Sequence, residues 1–204
     1  MNQIRFFNKT KEWNEVYTPH NFIDSIRNSF VRNRIRIVTS TLTPIIKNKT
    51  VVDFGAGNGM FSKICVQLGA KKVISIENNI LMYDELKENM KSYENIKVVY
   101  GNEDNIPKCD ILLCLGVITY HKNISCILKK INEQTRNIII INTIPGCKYG
   151  LKGLLFYNLM RLYNPFRGLK VYTHKQYYIL GFFKHFKMSE EYCFKHDVNL
   201  VFRK

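Results

Sequence analysis

The sequence predicts an α/β domain: a mostly parallel sheet with helices on both faces. Three observations carry this. From residue 50 onward, short β-branched runs alternate with segments of helical periodicity. The runs are apolar throughout, as in strands buried on both faces. A turn rich in glycine follows the first run directly.

The strands fall at 50–54, 73–77, 96–100, 110–115 and 137–142. Helices are predicted over 59–68, stopped by Gly69, and over 80–90 and 124–132. Ahead of the first strand, Phe22, Ile23, Ile26, Phe30 and Val31 recur at helical spacing, so 20–43 reads as one or two amphipathic helices. After the fifth strand the pattern is less regular. Leu154, Leu155, Tyr157, Asn158, Leu159 and Leu162 indicate a helix broken at Pro165, and 174–184 reads as another helix. Two final strands, 186–194 and 198–203, form an antiparallel hairpin across 195–197.

With 204 residues, of which 46% are hydrophobic and 13% aromatic, the chain can bury one sizeable core. No apolar run approaches the roughly 18 to 20 residues that cross a bilayer. The first residues, Met1 to Lys9, lack the apolar stretch of a signal peptide, so a cytoplasmic protein is expected. Its six cysteines (Cys65, Cys109, Cys114, Cys126, Cys147, Cys193) contain no CxxC pair and sit mostly in apolar runs. They read as reduced, buried small hydrophobes, and no metal is expected.

The net charge of +15 is unevenly placed. Residues 53–133 are balanced, as are 1–24 and 190–204. The excess lies in 25–52 (Arg27, Arg32, Arg34, Arg36, Lys47, Lys49) and in 134–189 (Arg136, Lys148, Lys152, Arg161, Arg167, Lys170, Lys175, Lys184, Lys187), neither of which holds an acid. Such segments attract anionic partners, RNA or an acidic membrane surface among them, and would make the protein peripheral to a membrane in the second case.

Asp53-Phe-Gly-Ala-Gly-Asn-Gly59 lies between a buried strand and a helix. Glycines there let the main chain approach a ligand, and the helix start behind them offers N–H groups. The next strand ends in Glu77, about twenty positions on, where a carboxylate accepts hydrogen bonds from ribose hydroxyls. Together they indicate a nucleoside cofactor.

The turn resembles motif I of the class I S-adenosylmethionine-dependent methyltransferases, small-molecule branch, in which an acidic residue precedes G-x-G-x-G. The resemblance runs from about residue 50 through most of the chain. It implies a Rossmann-like methyltransferase fold, a seven-stranded mostly parallel sheet with an antiparallel last strand. It also implies S-adenosyl-L-methionine as cofactor, held by Asp53, Gly55, Ala56, Gly57 and Gly59. Glu77, with Asn78 beside it, resembles the ribose-binding acid of the second motif. In Gly101-Asn-Glu-Asp the family's usual Asp is replaced by Asn102, which leaves Asn102 or Glu103 to meet the adenine. Leu115-Gly-Val-Ile-Thr-Tyr-His121 is similar to the fourth motif, where Leu-Gly-Val leads to a histidine.

The sulfonium makes the methyl group electrophilic, so such an enzyme mainly aligns its acceptor. A base serves only an acceptor that arrives protonated. His121 is the better-placed candidate and His174 the second. Acceptor contacts are expected from Tyr17, His20, Tyr120, Arg161, Arg167 and Lys170, and Trp13 would pack in the same lid. The expected organisation is an N-terminal helical lid, 1–49, and a methyltransferase domain, 50–204, with a substrate cover at about 146–173.

Methyltransferases acting on exocyclic amino groups of bases usually carry Asn/Asp-Pro-Pro-Tyr/Phe at the fourth motif, where this chain has Cys114-Leu-Gly-Val. A small, apolar and anionic acceptor is therefore expected. The alternatives are a tRNA- or RNA-modifying enzyme that uses the basic segments and a non-catalytic module that keeps the cofactor fold.

Overall fold

The computed structural model describes residues 22–143, Tyr172, His174, 176–194 and 197–204. The elements in order are α1 (Phe22–Leu42), β1 (Thr50–Phe54), α2 (Met60–Gln67), β2 (Lys72–Glu77), α3 (Ile80–Met90), β3 (Ile96–Tyr100), β4 (Cys109–Cys114), α4 (Ser125–Gln134), β5 (Thr135–Thr143), α5 (Gln176–Phe182), β6 (Lys187–Phe194) and β7 (Asp197–Arg203). Short 3₁₀ turns cover Glu103–Asn105 and Ile118–Tyr120.

The strands form one sheet in the order β3-β2-β1-β4-β5-β7-β6. β1 to β5 run parallel, and β7 enters antiparallel between β5 and β6. The order reverses between β1 and β4, and in open α/β sheets the ligand crevice lies outside the strand ends at that switch point.

Successive strand residues serve opposite faces. Val51, Val73, Ile111, Leu113, Ile138 and Ile140 pack under α1 and α2, whereas Val52, Phe54, Ile76, Leu112, Cys114, Ile139 and Ile141 pack under α4 and α5. Burial on both sides explains the continuous apolar runs. Helix ends follow local chemistry. Asn79 caps α3 by accepting N–H bonds from Leu81 and Met82. Gly69, at φ +99°, closes α2 while its N–H reaches Val66 and that of Ala70 reaches Cys65.

The helix expected over 20–43 is a single one, and its C-terminal half is core. Ile37, Val38, Leu42 and the following Ile46 are at most 1% exposed. Residues 1–21 of the expected lid, and the helix expected at 154–162, lie outside the described residues. His174 precedes α5 instead of starting it, and β5 extends two residues beyond the expected start. Among the cysteines, Cys65, Cys109 and Cys114 are buried, but Cys126 is exposed. Its neighbours Ile127 and Leu128 take the inward face of α4, which leaves Cys126 to solvent. Burial pushes the Cys109 and Cys114 thiols up to about 12, so they stay protonated.

Because α1 is part of the core, Leu42→Ala should cost roughly 2–5 kcal/mol in denaturant unfolding. A detachable lid would register less than about 1 kcal/mol.

Candidate functional site

The three glycine-turn positions Gly55, Gly57 and Gly59 all have positive φ, the left-handed region that side chains resist. They differ in what surrounds them. A Cβ at Gly55 would overlap Val117, and one at Gly59 would overlap Met90 and Leu86. At Gly57 the nearest atom, Met82 Cε, would be 3.8 Å away. The outer glycines therefore answer to packing. The middle one is not crowded, meeting only Met82 at van der Waals distance.

Hydrogen bonds fix the turn to β2. The Gly55 and Ala56 N–H groups donate to the Ile76 carbonyl at 2.8 and 3.0 Å. Gly57 N–H donates to Glu77 Oε2 at 2.9 Å. Glu77 Oε1 accepts the N–H groups of Asn78 and Asn79 at 3.0 and 2.9 Å, and the Glu77 carbonyl accepts Gly101 N–H at 3.1 Å. The side chain of Glu77 is thus held at the mouth of three turns while only 8% of the residue is exposed. A carboxylate offers about four lone-pair positions, so one remains on Oε2 for a ligand.

Asp53 lies behind the turn. Its carboxylate accepts the Ser62 hydroxyl at 2.6 Å, and Ser62 Oγ lies 2.7 Å from Ser75 Oγ. With Ser62 donating to Asp53, Ser75 donates to Ser62. All three residues are buried, so the relay ties β1, α2 and β2 together. Burial raises the Asp53 carboxyl to about 6, the Ser62 bonds oppose the rise, and the charge of Glu77 adds to it.

Asn102 and Glu103 sit in the turn after β3. Asn102 is exposed, and its side chain accepts Asp104 N–H while Asn105 accepts Asn102 N–H. Its amide oxygen therefore shapes the turn. Glu103 is half-buried.

On the other side of the switch point, Leu115 is 9% exposed and Gly116 has φ +75°. A Cβ at Gly116 would lie 3.0 Å from Arg34 Nη1. Tyr120 is exposed and His121 half-buried. His174 is buried, with Nε2 2.9 Å from the carbonyls of both Ile118 and His121. Two carbonyl acceptors require a proton on Nε2, which commits that nitrogen to the main chain. Tyr17, His20, Arg161, Arg167, Lys170 and Trp13 lie outside the described residues.

Two residues at this mouth, Val117 and Arg34, were not singled out from the sequence. Val117 was visible inside Leu-Gly-Val, but its contact with Gly55 depends on β1 and β4 being neighbours. Arg34 was visible only as one cation among six.

The basic segments also divide. Arg34 reaches the cofactor end of the sheet, but Lys49 and Arg136 lie near the opposite strand ends, with Lys72, Arg203 and Lys204. A cavity of about 280 Å³ there is lined by Lys49, Asn137, Arg203 and Lys204 over Ile45, Ile111 and Ile138. Among the described residues no group of three or more His, Cys, Asp or Glu could hold a metal ion, and no helix is long and apolar enough to cross a membrane.

Residues 20–143 match the family described as ribosomal RNA adenine dimethylase. The chain belongs to that ribosomal RNA adenine dimethylase family. That family is one of class I S-adenosylmethionine-dependent methyltransferases, whose cofactor is S-adenosylmethionine. This family member is similar to ribosomal protein L11 methyltransferase of Clostridium perfringens (strain 13 / Type A), 34% identical over 70 residues, 33% of this chain and 22% of that protein. It is also similar to protein arginine N-methyltransferase 1 of Oryza sativa subsp. japonica, 40% identical over 76 residues, 34% of this chain and 19% of that protein. The matched stretch is thus about a fifth of either relative. Among solved structures, magnesium protoporphyrin IX methyltransferase from Synechocystis PCC 6803 with bound SAH shares the fold at TM-score 0.73 and 19% identity, covering 97% of this chain and 95% of that one.

The relay behind the turn makes stability depend on pH. The folded value of Asp53 is about 6 against an ordinary 3.8, so the folded state holds this proton more tightly. Its contribution is favourable below about pH 4 and is lost as pH rises through 6. Asp53→Asn should remove that slope, gaining about 3 kcal/mol relative to the unsubstituted protein between pH 4 and 7. Urea unfolding at intervals across that range checks it.

Proposed function

We propose that the enzyme methylates a small, apolar and anionic acceptor at the mouth formed by the loops after β1 and β4. The observation that carries the proposal is the apolar fourth-motif turn, where Val117 fills the space over Gly55 and the segment leads on to a half-buried histidine. No amide-proline element stands there to grip a base amino group. The full-length likeness to an enzyme named for a porphyrin substrate supports the same reading.

When bound, S-adenosylmethionine supplies a methyl group on a sulfonium. The residues fit it. Gly57 is uncrowded, so a ligand can approach its main chain, and Glu77 keeps a lone pair for a ribose hydroxyl. Asn78 contributes its N–H to orienting Glu77, and Asn102 or Glu103 borders the adenine side. Val117 presents an apolar side chain over Gly55, and Leu115 before it is buried in the core. His121 follows them, where a base would take a proton from an acceptor hydroxyl or amine. Arg34 places a cation near Gly116, suited to an acidic substituent.

A second reading, an RNA acceptor, is favoured by the name of the matched family. Incubating the enzyme and methyl-tritiated S-adenosylmethionine with cell extract separates the two. Label in an organic-soluble small-molecule fraction is the expected outcome; label in ribonuclease-sensitive precipitate would overturn the acceptor class.

The ribose role of Glu77 has its own test. Alanine would strand three main-chain N–H groups, whereas Glu77→Gln keeps an oxygen for Asn78 and Asn79, removes the charge and turns an NH2 toward Gly57 N–H and the ligand position. Titration calorimetry should show S-adenosylhomocysteine affinity lowered roughly tenfold to a hundredfold. Unchanged affinity would refute the assignment.

A further inference from the structure

The segment entering α5 is fastened to the loop after β4 at two adjacent points. Tyr172 N–H donates to the Thr119 carbonyl at 2.6 Å. Two residues on, His174 Nε2 lies 2.9 Å from the carbonyls of Ile118 and of His121. Ile118, Thr119 and His174 are buried, and Tyr172 and His121 are half-buried. The three carbonyls belong to the 3₁₀ turn Ile118–Tyr120 and its C-terminal cap, His121.

We propose that His174 is a positioning residue which sets the main-chain placement of His121 and so the direction from which the candidate base meets the acceptor. The reasoning is geometric. A lone pair on Nε2 would face two carbonyl oxygens and repel both, so the neutral ring carries its proton on Nε2. That N–H is shared between the first residue of the turn and its cap. Shortening or lengthening the turn would break one of the two bonds. His174 thus acts on chemistry through His121 rather than by touching the reacting atoms. The same ring, with the Tyr172 N–H beside it, ties the segment entering α5 to the loop after β4 and so fixes the chain from which His121 projects. This assignment rests on the reading of His121 as facing the reacting centre.

The experiment compares His174→Gln, whose amide nitrogen retains a donor near the Nε2 position, with His174→Leu, which has none. Nuclear magnetic resonance of the full chain with S-adenosylhomocysteine follows the His121 ring and the Tyr172 amide. His174→Leu should move the His121 ring signals and titration midpoint and speed Tyr172 amide exchange at least tenfold. His174→Gln should restore both toward the unsubstituted values. A folded Leu variant with an unaltered His121 titration and unaltered Tyr172 exchange would overturn the proposal. If the Leu variant fails to fold, imidazole ¹⁵N shifts of the unsubstituted protein decide: a neutral ring with bare Nε2 overturns it, a protonated Nε2 upholds it. Calorimetry with S-adenosylhomocysteine reports on the cofactor end separately, so failure of the clasp and failure of the cofactor reading are distinguishable.

Discussion

The carboxylate of Glu77 holding the N–H of Gly57 is the interaction on which the cofactor end of the molecule depends. It pins a turn of positive-φ residues that has few conformational constraints of its own. The same side chain receives Asn78 and Asn79, which sets the start of α3, and the same residue's carbonyl receives Gly101, which sets the turn after β3. Three loops from three strands therefore share one residue. Charge-assisted bonds to main-chain N–H groups in a nearly buried site are stronger than neutral ones. These bonds order the three loops without a ligand, and a site already ordered loses less conformational freedom on binding.

Much of the fold was legible because the strands are buried on both faces. Continuous apolar runs mark β1, β2 and β4 without ambiguity, and Gly69 and Asn79 mark helix ends by mechanisms that act within a few residues. What was not legible depends on contacts across the sheet. Glu77 was identified as a ribose acid, but nothing in its spacing says that it also holds the glycine turn. The resemblance of the turn to motif I groups Asp53 with the cofactor contacts. Its strand direction turns it inward, onto Ser62. His174 was read as a base candidate from its place before a helix, whereas its partners lie more than fifty residues away. Long-range pairing of this kind has no local pattern.

The charge distribution follows the same lesson. A basic segment reads as one field in sequence, yet a helix and loop crossing the sheet carry its residues to opposite ends. α1 brings Arg34 to Gly116, while Lys49, only fifteen residues on, sits beside Lys71 at the other edge. The cofactor end holds Glu77 and Glu103 after strands β2 and β3. Among the described residues the cations of the first basic segment are therefore divided between the two ends of the sheet.

The contact between Gly55 and Val117 links these two halves. Methyl transfer needs the acceptor in line with the departing sulfur, and misplacement by about an ångström is costly. A side chain at position 55 would push the fourth-motif loop off the cofactor turn, so glycine there fixes the spacing between the loop that bounds the donor and the loop that bounds the acceptor. His174 then fixes the far end of that second loop. Between them, a residue with no side chain and a buried ring hold the segment 117–121 at both ends. The chemistry asks for alignment more than for a strong base, and alignment is what this arrangement of main-chain contacts supplies.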